Sequence, residues 1–83
     1  MKGFAPMIDY KEEILKFYYE KLKVYHEKVE QYYDYQTVFR FEMMNEAMIQ
    51  VNTIKLVMQR LGFTYEEVES YVESQDAREQ VKA

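Results

Sequence analysis

Apolar residues recur along the first third of the chain at a helical spacing. Ile8, Leu15, Leu22 and Val29 stand seven apart, and Lys11, Tyr18, Tyr25 and Tyr32 fill the alternate seam position. A repeat of this kind turns one side of an α-helix toward a partner. The opposite side is charged at every turn, through Asp9, Glu13, Lys16, Glu20, Lys23, Glu27, Glu30 and Asp34. Between the two runs a weaker apolar stripe of Tyr10, Ile14, Phe17 and Val24, so the buried arc is wider than one partner helix covers. Asp9 and Glu12 have the spacing of a capping box, which predicts a first helix over about 9–34.

Beyond Val29 that seam fails. Gln36, Phe39, Met43, Glu46, Gln50 and Thr53 fall on it, and the pattern restarts in a new phase after Thr37: Met43, Met44, Ala47, Met48, Val51, Ile54, Met58 and Leu61. Thr37 is a good N-cap, so a second helix is expected over about 37–61, folded back on the first. A single continuous helix to Leu61 is the competing reading, because no Gly or Pro interrupts the chain from Met7 to Leu61. Ile49 and Leu56 intrude on the polar side of the second helix beside Asn45 and Asn52, giving it a second stripe as well.

The next break is clearly signalled. Leu61-Gly62-Phe63 reads as a helix end with Gly at the first residue past the cap. Thr64-Tyr65-Glu66-Glu67 is a capping box, with Phe63 and Val68 at the two positions of a hydrophobic staple. A third helix is expected over about 64–76, with apolar Tyr65, Val68, Tyr71 and Val72, and residues 77–83 as a frayed polar tail. The predicted fold is all-α: a long antiparallel helical hairpin plus a short third helix. Two long helices with a second stripe each are expected to pair, hairpin on hairpin, into a homodimer with a four-helix-bundle-like core. A monomeric three-helix bundle is the alternative.

Composition supports that expectation. The 83 residues form one domain, 1–83, and a chain this short buries only about 60% of its unfolded surface. With no Cys, neither a disulfide nor a thiolate metal site is available to staple it. Two Gly and one Pro are too few for a turn-rich β architecture. The same inventory bears on chemistry. There is no Cys nucleophile, Ser occurs only at 70 and 74, and His26 is the single histidine, so no relay can be assembled. Two isolated glycines cannot build a phosphate-cradling loop. Glu42 and Glu46 lie near the polar side of the second helix, and residue 23 is Lys where a dimetal bundle needs Glu before His26. No catalytic residue, cofactor or metal is expected, and His26 reads as structural. No apolar run approaches the ~20 residues of a membrane span. The Met1–Ile8 run holds Pro6 and is too short for a secretory signal, so a cytoplasmic protein is expected.

Charge and aromatics point toward partners. The net charge of −4 resides in residues 64–83, where Arg78 and Lys82 face Glu66, Glu67, Glu69, Glu73, Asp76 and Glu79. Glu66, Glu67, Glu69 and Glu73 are therefore candidates for docking on a basic surface, and they oppose binding to nucleic acid. Tyrosine is an interface residue by size and by its polar tip. Tyr18, Tyr19, Tyr25, Tyr32 and Tyr33, with Ile49 and Leu56, are the candidate dimer or partner contacts. The expected function is a small non-enzymatic interaction module that binds and modulates a larger protein. Adaptors, inhibitors and antirepressors of this style occur among small bacterial and bacteriophage accessory proteins. Two alternatives remain at this level: a DNA-binding regulator using a helix-turn-helix-like corner at Gly62, and a structural subunit of a phage particle.

Overall fold

A computed structural model of the chain describes residues 10–82, and among these every regular element is a helix: α1 (Tyr10–Asp34), α2 (Val38–Arg60) and α3 (Tyr65–Lys82). The cap expected at Asp9, the seam residue Ile8, the Met1–Ile8 run and Ala83 lie outside the described residues.

The chain does not run straight from α1 into α2. Thr37 takes an extended conformation (φ −124°, ψ 160°), and its Oγ1 accepts the Arg40 N–H at 3.1 Å. The Thr37 carbonyl accepts the first α2 bond, from Phe41 N–H at 3.0 Å. Arg40 Nη1 then reaches back to donate to the Gln31 carbonyl at 2.6 Å, a second bond to an oxygen that already accepts the Tyr35 N–H at 3.2 Å. The two helices pack antiparallel. Tyr32 meets Phe41 at one end (centroids 5.7 Å), while Leu15 and Met58 share the core cluster toward the other.

At the second junction every local signal is used. Leu61 caps α2, Gly62 follows at φ +89°, Phe63 N–H donates to Met58 O at 3.0 Å, and Gly62 N–H to Gln59 O at 3.1 Å. These are the two bonds of a Schellman motif, with Phe63 and Met58 in the accompanying apolar contact. Thr64 and Glu67 close a reciprocal box: Thr64 N–H donates to Glu67 Oε1 at 2.8 Å, and Glu67 N–H to Thr64 Oγ1 at 3.1 Å.

The core is built around Leu15, Tyr18, Val51, Met58 and Phe63, with Ile14, Leu22, Tyr25, Ile54, Val68, Tyr71 and Val72 packed on it. All three helices therefore contribute, and α3 lies parallel to α1. The tail expected at 77–83 is corrected here, because α3 continues to Lys82. The reason is polar contact with α1: Tyr19 Oη donates to Asp76 Oδ1 at 2.7 Å, and Lys23 Nζ to Glu79 Oε2 at 2.7 Å. Partners that lie 57 and 56 residues upstream hold the last turns in place.

Gly62 has open space around its Cα, so the cost of a side chain there is conformational. Gly62→Ala should lower stability by about 1 kcal/mol, the left-handed penalty less the entropy an alanine removes from the unfolded chain. Urea titration followed by circular dichroism reads this; an unchanged midpoint would contradict the strain assigned to the turn.

Candidate interaction surfaces

The tyrosines divide by burial. Tyr18 is 4% exposed and Tyr19 7%, so both are core residues with nothing left to offer a partner. Burial pushes the Tyr18 hydroxyl pKa up, helped by Glu69 and Tyr65. Tyr19 packs edge-on against Tyr71 (centroids 6.4 Å, 77° between planes), and its pKa is pushed up to about 12, first by the hydrogen bond to Asp76 and then by burial. Tyr25 and Tyr32 are half-buried, whereas Tyr33, Ile49 and Leu56 are exposed. His26 is exposed and lies beside the Tyr25 ring at 5.8 Å.

The four candidate glutamates also separate. Glu67 is engaged within the chain: besides the box with Thr64, its carboxylate accepts Lys11 Nζ at 2.9 and 3.1 Å. The Thr64 N–H and then Lys11 hold its pKa below the ordinary carboxylate range. Glu69 is half-buried on the wall of an open groove of about 250 Å³ between α2 and α3, where Lys55, Met58, Gln59, Phe63 and Val68 are its neighbours. Glu66 and Glu73 stand on the exposed side of α3. The acidic surface is thus narrower than the count of glutamates implies.

What the sequence reading missed is the ladder between α1 and α3. Lys11 lies over the Phe63 ring (5.1 Å) and bonds Glu67; Lys23 lies over the Tyr19 ring (5.7 Å) and bonds Glu79, which raises its own pKa. In each case the lysine stem covers an aromatic ring while the ammonium meets a carboxylate. The only foreshadowing signal was Lys11 itself, a charged residue on an otherwise apolar seam.

The end of the hairpin is a different kind of surface. Glu79 is beside Lys23, so α3 stops well short of the α1–α2 turn. Beyond its reach, Tyr33, Tyr35 and Val38 are each about two-thirds exposed or more, and Phe41 is about half exposed. Tyr33 stands edge-on to Tyr32 (5.7 Å), and Arg40 covers the Tyr35 ring at 5.6 Å. Tyr and Arg are the residue types that dominate interface energetics.

Among the described residues no group of His, Asp or Glu is placed to hold a metal ion, and no helix is long and apolar enough to cross a membrane. Comparison of the chain with models of protein families, with curated proteins and with solved structures finds no match in any of the three.

Two predictions follow from the ladder. Glu67 has a depressed folded pKa, so its contribution is complete above the ordinary carboxylate value and is lost as pH falls through the depressed one. Tyr19 and Lys23 are raised, so theirs are complete at neutral pH and lost on the alkaline side, that of Tyr19 between 10.0 and about 12. Protection of the α3 amides, taken relative to their intrinsic exchange, should therefore be greatest near neutrality and decline in acid and in strong alkali before that of α2; equal pH profiles of protection for the two helices would refute the ladder. Tyr19→Phe should cost about 1 kcal/mol by removing the bond to Asp76, while Asp76→Asn, which keeps an acceptor, should cost less. Equal losses in denaturant titrations would show that the hydrogen bond is not what matters.

Proposed function

We propose that the protein is a small non-enzymatic interaction module, acting as a dimer in the cytoplasm, that binds and modulates a larger protein in the manner of an adaptor, inhibitor or antirepressor. The observation that carries this reading is the aromatic end of the hairpin. Tyr33, Tyr35 and Val38 remain exposed at the end of the hairpin that α3 does not reach, with Arg40 over the Tyr35 ring. Exposed tyrosines, one of them stacked under an arginine, have the composition of a hot-spot surface. Glu66 and Glu73, on the outward side of α3, supply a negative field that steers approach to a basic partner surface. The affinity resides in the hairpin end and the electrostatics set the association rate.

A DNA-binding role for the Gly62 corner is weakened by the same geometry. The exposed side of the would-be recognition helix holds Glu66 and Glu73, and Lys11 is committed to Glu67. Phosphate contact needs cations there.

The test is affinity capture from the source organism with three baits, followed by titration of the captured protein. Tyr35→Ser combined with Val38→Ser should lower affinity at least about tenfold. Glu66→Lys combined with Glu73→Lys should instead slow association and flatten its salt dependence. A captured protein that binds all three baits alike would refute the assignment. Salt-sensitive retention of random duplex DNA by the wild-type chain would replace it with the DNA-binding reading.

A further inference from the structure

The side of the hairpin turned away from α3 carries an apolar layer of its own. Successive helical residues are about 100° apart, so residues two apart point to nearly opposite sides. On α1, Tyr19 meets α3, and Phe17 therefore points away from it, in line with Tyr10 and Val24 at intervals of seven. On α2, Lys55 and Gln59 line the groove toward α3, so Val57 and Leu61 point away, with Phe39 on the same flank. An open hollow lined by Tyr10, Lys11, Ile14, Leu61 and Phe63 joins the two flanks, its lysine being the one already bonded to Glu67. The six outward residues are exposed, from 40% at Val24 to 75% at Tyr10.

Two arguments identify what covers this face. The first is area. Burying those six side chains removes on the order of 700 Å² per copy, close to the ~800 Å² per partner of a standard stable interface. The second is self-complementarity. Within the hairpin Tyr32 is level with Phe41, and Tyr10 adjoins Leu61 across the hollow. In that register Phe17 is level with Val57, and Lys28 with Glu46, to within about a residue. Lys28 shares the flank of Tyr10 and Phe17, Glu46 shares that of Val57, and neither has an ion pair among the described residues. A two-fold axis along the hairpin sets α1 of one copy over α2 of the other without changing height. Tyr10 then meets Leu61 of the second copy, Phe17 meets Val57, and Lys28 meets Glu46, with every contact made twice.

We propose that two copies of the chain pair through this face, giving a four-helix layer of two hairpins with an α3 on each outer side. The assignment deepens the dimeric part of the function proposed above and needs no other partner. It also separates two stripes that the sequence reading had left together, since Ile49 and Leu56 lie outside the interface.

Sedimentation equilibrium and light scattering on the full chain provide the test. The wild type should form a closed dimer. Lys28→Glu and Glu46→Lys, both conservative of the monomer's own contacts, should each weaken it at least about tenfold, and the double exchange should restore it. Phe17→Glu with Val57→Glu should yield a monomer of unchanged helicity, while Ile49→Glu with Leu56→Glu should leave the dimer intact. A dimer that survives the Phe17 and Val57 changes, or is lost with those at Ile49 and Leu56, overturns this face and leaves dimerisation itself standing. Failure of the double exchange to rescue overturns the register. A wild-type monomer, or a larger open assembly, overturns both this proposal and the dimeric reading on which it rests.

Discussion

The Glu67 carboxylate is the point on which the arrangement of the three helices depends. It accepts the Thr64 N–H that starts α3 and the Lys11 ammonium that fixes α3 to α1, while its own N–H is taken by Thr64 Oγ1. Immediately before it, the Gly62 turn has delivered Phe63 into the core under the same Lys11 side chain. Turn, helix start and helix packing therefore share one charged group and one aromatic ring. From there α3 has one direction available, along α1, and the later contacts at Asp76 and Glu79 follow from that direction.

No described side chain of α3 is buried. A helix with so little apolar area docks weakly by the hydrophobic effect alone, and Val68, Tyr71 and Val72 cover only its first half. The remainder is held by bonds between polar groups, one of them the part-buried bond from the Tyr19 hydroxyl to Asp76. Interactions of this type confer position more than stability. They explain why α3 has a definite register on α1 and why its docking responds to acid through Glu67.

How much of this was legible follows from the range of each interaction. The corner at Gly62 was legible to the residue, because a Schellman turn and a capping box are closed by groups within six positions of one another. The division of α1 and α2 by seam phase was legible for a related reason, since periodicity reports a helix's own buried side. The ladder was not. Lys23 gives no sign in the chain of its partner at Glu79, and the polar run after Ser74 has the composition of a frayed end whether or not a tyrosine hydroxyl lies opposite. The candidate contacts failed in the same manner. Tyr18, Tyr19, Tyr25, Tyr32 and Tyr33 are chemically alike, and only the third helix, by ending where it does, decides that Tyr19 is core and Tyr33 surface.

The brevity of α3 is thus the feature with the widest consequence. At 18 residues against 25 and 23, it covers one side of the hairpin and only part of its length. A third helix as long as the other two would have run alongside the hairpin end as well. Two exposed surfaces of different character remain: the aromatic end with Arg40 over Tyr35, and a broad apolar side opposite α3 with Lys28 on its α1 flank and Glu46 on its α2 flank. Among the described residues the core contains two tyrosines and no side chain below 2% exposure, which is thin support for three helices. A fold so sparingly buried gains most where it can bury more. In the pair proposed above, its apolar side would supply that gain, and the hairpin ends would point along the two-fold axis and stay accessible at the same end of both copies. Two equivalent binding ends held side by side on one rigid body would raise apparent affinity for any partner that presents paired sites.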